Sequence, residues 1–211
     1  MKKAFILLFI LTIITGLSYG QSDFKPETNI GIKTGGTVSI VRFDPTIGQI
    51  INYGFVGGLS FKHIEQKNLG LQMELNYMQA GWKENLDSIG SYSRRLNYIH
   101  FPLMTHFYME NKARAFANFG PYVSYLFAEN ESIDTISEEN ERAYYQTKIA
   151  NKAEFGLCFG LGLTPHTSIG IFQIEGRVNM SLNNIYKEKE SPFVSSKNLI
   201  IELTLTYYID L

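Results

Sequence analysis

The chain has 211 residues, with 19 Lys and Arg against 20 Asp and Glu and a formal net charge of −1. That length holds one domain, two at most, and a composition 45% hydrophobic and 14% aromatic excludes a disordered chain. The near-neutral balance excludes the basic face of a nucleic-acid binder. The single cysteine, Cys158, excludes an intramolecular disulfide framework and a cysteine-cluster zinc site.

Residues 1–20 read as a secretory signal peptide. Lys2 and Lys3 form the charged start, 4–17 are almost wholly apolar, and Ser18-Tyr19-Gly20 puts small residues where a peptidase cuts. The apolar run is short for a membrane helix and no stop-transfer charges follow it. The mature domain is then 21–211, and no cysteine at the cut offers a lipid anchor.

Eight segments alternate with a period of two: 29–41, 53–64, 69–81, 96–109, 114–127, 152–163, 168–182 and 197–209. In the third, Leu69, Leu71, Met73, Leu75 and Tyr77 share one face, and Gly70, Gln72, Glu74 and Asn76 the other. In the last, Leu199, Ile201, Leu203, Leu205, Tyr207 and Ile209 oppose Ile200, Glu202, Thr204, Thr206 and Tyr208. Most segments exceed the ~9–11 residues that a tilted strand needs to cross a bilayer. The connections alternate too. Short turns at 65–68, 110–113 and 164–167 interleave with long loops at 42–52, 82–95, 128–151 and 183–196. Long outer loops and short periplasmic turns along an even number of strands are the pattern of an outer-membrane barrel.

The expectation is an all-β, eight-stranded, antiparallel up-and-down transmembrane β-barrel. Unpaired strand edges in hydrocarbon cost several kcal/mol per group, so the sheet must close. A soluble two-sheet sandwich, or a lipocalin-like carrier, would instead turn the apolar faces inward. The export signal, the strand length and the aromatics favour the membrane barrel. Tyr77, Tyr125 and Phe127 fall at one end of the apolar face and Phe107 and Tyr207 at the other, as interfacial girdles do.

The opposite face should fill the lumen with Lys33, Lys62, Glu74, Arg114, Glu154, Glu175, Arg177, Glu202, His100 and His106. An eight-strand barrel is only wide enough for side chains, so a plug of paired charges is expected rather than a pore. Gly156, Gly160 and Gly162 would leave room there for long side chains opposite. Cys158 reads as a small buried filler.

With these stretches in hand, the chain resembles the PorT-type outer-membrane β-barrel family of Bacteroidetes. The similar stretches are GIKTGG (31–36), GFVGGLSF (54–61), LGLQMELNYMQAG (69–81), LNYIHFPLM (96–104), FGPYVSYL (119–126), FGLCFGLGL (155–163) and IIELTLTYYI (200–209). The family pattern commonly has an acid where this chain carries His100, and such barrels usually end in an aromatic where this one ends in Leu211. The resemblance implies an integral protein of the cell outer membrane, with no enzyme activity. Its partners would be the bilayer, the outer-membrane assembly machinery and a secretion-system or surface protein, with no nucleic acid. One family member is associated with type IX secretion.

No catalytic, cofactor-binding or metal-ligating residue is assigned. His100 and His106 are six strand positions apart, ~20 Å at ~3.3 Å per residue, too far to share a metal. His63 and His166 read as solvated periplasmic ends. A surface lipid or peptide hydrolase would have to use His100 with Ser91 or Ser93, a weak arrangement. The acids Glu129, Glu131, Asp134, Glu138, Glu139 and Glu141 lack the ordered spacing of a calcium loop and read as a solvated outer loop. The function expected is non-enzymatic, structural or adhesive or contacting envelope partners through the outer loops. A type IX secretion subunit is the alternative, and a hydrolase barrel a lesser one.

Overall fold

A computed structural model describes residues 24–85, 90–110, 114–134, 144–145, 147–167, 169–187 and 191–211. The expected signal segment lies outside these residues. Alternation places every second side chain on one surface of a ribbon, and ladder pairing of successive ribbons follows. The strands are β1 (Glu27–Asp44), β2 (Asn52–Gln66), β3 (Leu69–Asn85), β4 (Ser91–Glu110), β5 (Arg114–Asp134) and β6 (Ala153–Thr164), then β7 (His166–Thr167), β8 (Gly170–Ser181) and β9 (Ser195–Asp210). β7 is a two-residue rib on the start of β8. The other eight form one ring. Each pairs antiparallel with its neighbour, β1 pairs β9, and β6 pairs β8 to close the sheet. The seventh segment, expected from residue 168, thus begins at Gly170 behind that rib.

The apolar faces are outside. Leu71 is 39% exposed and Leu203 67%, while Glu74 and Glu202 on the opposite faces are buried. Phe107, Tyr125, Phe127 and Tyr207 are exposed at the ends of the apolar band, joined by Tyr53, Phe55 and Phe155. At the outer edge of this band Tyr77 donates to Asn97 Oδ1 at 2.7 Å, and Gln79 donates to the same oxygen at 3.3 Å. Such polar tips on aromatic bodies suit the headgroup level. At the other end, Lys67–Asn68 is a two-residue turn in which Asn68 takes a φ of 72°, a conformation that asparagine tolerates.

Three of the long loops are shorter than expected, because the ladders continue above the band. Residues 82–95 are mostly strand: Trp82 pairs with Arg94 and Glu84 with Tyr92, all four buried. β5 likewise runs to Asp134 instead of 127. Here the wall stands in water rather than lipid, so its outer face turns polar while aromatic residues join the buried charges Glu84 and Arg94 inside. Charged Lys83 and Arg95 turn outward and aromatic Trp82 and Tyr92 turn inward. The register shift beside Asn97 and Tyr98 inserts one extra residue, Phe127, into β5.

Candidate functional site

The lumen is built from alternating inward residues of all eight strands, and every one of the ten residues expected there is buried. Its middle is an ion network. Arg177 on β8 grips Glu74 on β3 with two bonds, of 2.6 and 2.8 Å, and Glu175 with two more, of 2.8 and 3.0 Å. Lys33 on β1 bridges Glu74 at 2.9 Å and Glu202 at 3.0 Å. The fork of an arginine satisfies two carboxylates at once. The side chains of Lys33, Glu74 and Arg177 show no exposure, where unpaired charge would be costly.

Towards the periplasm, Arg114 forks onto Glu27 at 2.6 and 2.8 Å. His106 Nδ1 bonds Asn118 at 2.7 Å, and Tyr108, Phe116 and Ile64 pack into a small apolar floor. Above the ion network, His100 Nδ1 bonds Ser124 at 2.8 Å, and its ring lies 4.8 Å from that of Tyr122. Cys158 packs with Met104 and Tyr122, its thiol on the Gly120 carbonyl at 3.3 Å. The glycines of β6 do what their position suggested. A Cβ on Gly160 would lie 2.1 Å from Glu175 Oε1, and one on Gly156 2.6 Å from the Tyr122 ring.

The expectation of paired charge fails at two residues. Glu154 meets no cation among the described residues; it accepts from Tyr122 at 2.9 Å and from Asn198 at 2.5 Å. Lys62 donates to Gln173 at 3.2 Å and sits 4.2 Å from the centre of the Tyr208 ring. Uncharged donors, an amide oxygen and a π face substitute for counter-ions there.

The outer third of the lumen departs furthest from expectation. It is mainly aromatic, a cluster of strand residues such as Phe43, Trp82 and Tyr92 closed from above by Tyr144, Tyr145, Ile149, Ile185, Tyr186 and Phe193, with Glu84 and Arg94 buried among them. Tyr92 and Tyr145 stack with ring centres 4.0 Å apart, and Phe43 and Phe193 lie 4.2 Å apart. Pairs of this kind contribute ~0.5–1.5 kcal/mol each beyond their buried area. Inside the cluster Glu84 is fully buried. It accepts from Trp82 at 3.1 Å, from Tyr144 at 2.8 Å on both oxygens and from Tyr145 at 3.3 Å. Arg94 donates to Tyr186 at 2.9 Å and to Glu129 at 2.7 Å, and Glu131 accepts from Tyr92 at 2.5 Å. Burial pushes the Tyr186 phenol above its ordinary range, against the Arg94 guanidinium beside it. Two outer loops are thereby tied into the barrel mouth; a backbone bond from Asn151 to Ile185 at 3.1 Å joins them, and one from Ile185 to Ser196 at 2.8 Å fastens the second loop to the start of β9.

This corrects the reading of Glu129 and Glu131 as solvated loop acids: both lie on β5 and face inward, because β5 continues past the membrane level. The side chain of Asp134 and residues Glu138, Glu139 and Glu141 lie outside the described residues. Ser91 and Ser93 occupy the outward register of β4 and His100 the inward one, so strand alternation separates them. His63 is half-exposed, bonded to Thr28 and Glu65; the His166 side chain lies outside the described residues. Trp82 was the signal missed: an aromatic on the polar register of β3 marks where the lumen lining turns apolar.

A family model for the outer membrane protein beta-barrel domain matches residues 16–187. Among solved structures, OprG from Pseudomonas aeruginosa is similar with a TM-score of 0.50 at 11% identity, covering 87% of this chain and 96% of that one. Ail, the attachment invasion locus protein of Yersinia pestis, in complex with the heparin analogue sucrose octasulfate, gives 0.47 at 16% identity, covering 88% and 100%. Neisserial surface protein A gives 0.45 at 11% identity, covering 87% and 99%. These likenesses concern the fold. No curated protein matches the chain.

Proposed function

Because the chain belongs to the outer membrane protein beta-barrel domain family and turns an apolar wall to the outer-membrane bilayer, we propose that it acts there as a closed, non-enzymatic surface protein. Its barrel is an anchor with a plugged lumen. Its activity lies at the outer rim, in adhesion or in contact with envelope partners. The observation that carries this reading is the filling of the lumen: a buried ion network in the middle and an aromatic cluster closed by two loops at the mouth. A lumen so filled leaves no continuous water column. Purified protein in planar bilayers should therefore give no steady conductance steps; porin-like conductance would refute it.

The segment 1–20 fits a cleaved leader, and the ordered stretches from GIKTGG to IIELTLTYYI favour the PorT-type branch of Bacteroidetes. That resemblance keeps a secretion-associated role as the second reading. A deletion strain that still exports its type IX cargo would remove it. A hydrolase has no support in the separation of Ser91 and Ser93 from His100. Unchanged lipid profiles in a His100→Ala strain would dispose of it.

A further inference from the structure

Strand β1 and strand β9 hold Arg42 directly opposite Lys197. Both point outward: Val41, Phe43, Ser196 and Asn198 on either side are buried and face in, whereas Arg42 is exposed and Lys197 half-buried. Two cations directly across a ladder repel each other. Neither forms an ion pair among the described residues; on β1 the next outward residue above Arg42 is the acid Asp44. Immediately below, the next outward pair, Ile40 and Leu199, is apolar. Together with Val38, Ile51 and Ile201 these residues line a groove of about 190 Å³ in the outer wall, walled almost entirely by hydrocarbon. The pair sits at the long-loop end of the barrel, which faces out of the cell, so the lipid beside it belongs to the outer leaflet.

We propose that this is a lipid site: Arg42 and Lys197 clamp a phosphate of an acylated sugar phosphate of the outer leaflet, the lipid A class, and one acyl chain lies in the groove beneath. The chemistry fits each part. A guanidinium fork takes two phosphate oxygens and the ammonium a third. The anion offsets the repulsion of the cations, and the groove starts one residue pair below them, where the acyl chains of such a lipid begin. Free phosphate would leave the groove empty, and a zwitterionic lipid would leave the cations partly uncompensated. The proposal concerns the outer wall and is independent of whether the lumen is closed.

The test uses the full chain in phosphatidylcholine nanodiscs doped with bisphosphorylated lipid A, with retained lipid counted by native mass spectrometry after transfer to detergent. Wild type should retain at least one lipid A. Dephosphorylated lipid A should bind at least tenfold more weakly, an arm that needs no variant. Arg42→Gln with Lys197→Gln should cause a similar loss, and Val38→Trp, which fills the groove and keeps both charges, should weaken lipid A too. Heat-modifiable gel mobility shows that each variant is a folded barrel. Equal retention of phosphorylated and dephosphorylated lipid, or no effect of the paired substitution in a folded barrel, would overturn the proposal. So would displacement of lipid A by millimolar inorganic phosphate, which would mark a free-anion site.

Discussion

Replacing Arg177 by Met tests the lumen network at its most connected member. The network contains two cations, Lys33 and Arg177, and three carboxylates, Glu74, Glu175 and Glu202, so it carries one excess negative charge. Removing Arg177 deletes four bonds of 2.6–3.0 Å and leaves three buried acids facing one lysine. Breaking a buried pair in this way costs ~3–5 kcal/mol. Adding Glu175→Gln restores the original excess of one, with Lys33 still between Glu74 and Glu202. The double variant should therefore be more stable than the single one by ~1–3 kcal/mol, a coupling usual for residues in one network. Guanidinium titration in phospholipid vesicles, followed by the emission of Trp82, the sole tryptophan, measures both. A single variant within ~1 kcal/mol of wild type, or a double variant worse than the single, would refute a dry, charge-paired lumen.

Gly160→Val should destabilise by ~1–3 kcal/mol through overpacking, because its Cβ falls 2.1 Å from Glu175 Oε1, whereas Gly176→Ala, whose Cβ meets nothing within 4 Å, should be nearly neutral in the same titration. Tyr144→Phe removes the donor to both Glu84 oxygens. It should cost ~1.5–3 kcal/mol of loop closure, read as increased acrylamide quenching of Trp82. Leu203→Arg, on the apolar wall at 67% exposure, should cost ~2–4 kcal/mol in vesicles, with a much smaller effect in detergent.

The wall was legible in the sequence because lipid imposes one rule on every outward residue, and a period of two then reads directly as two faces. Leu69 to Tyr77 and Leu199 to Ile209 state it without ambiguity. The mouth was not legible because that rule stops at the membrane surface. On β3 the inward register passes from Gln72, Glu74 and Asn76 to Met78, Ala80 and Trp82, which is the pattern of a soluble core laid on a strand still in register. The mixed charges after Gly81 look like a loop, yet the ladder runs on through Gly81, which adopts a φ of 129°, a value glycine takes without strain. The lumen charges could be named from one strand at a time, but their partners could not. Arg177 meets Glu74 across 103 positions, and only the closed ring sets that distance. For the same reason Glu154 and Lys62 found amide, hydroxyl and π partners where counter-ions were expected.

The claim on which the rest depends is that hydrocarbon wets the apolar faces while the polar faces are enclosed. Nitroxide scanning along β9 tests it most directly. In a Cys158→Ala background, Ile201→Cys, Leu203→Cys and Leu205→Cys are each labelled and compared with Thr204→Cys in lipid vesicles. The three outward labels should collide freely with oxygen dissolved in the bilayer and hardly at all with a water-soluble nickel complex, while a label at 204 should be shielded from both. High nickel accessibility at 203 together with low oxygen accessibility would mean that water, not lipid, bathes that face, and the account would be contradicted.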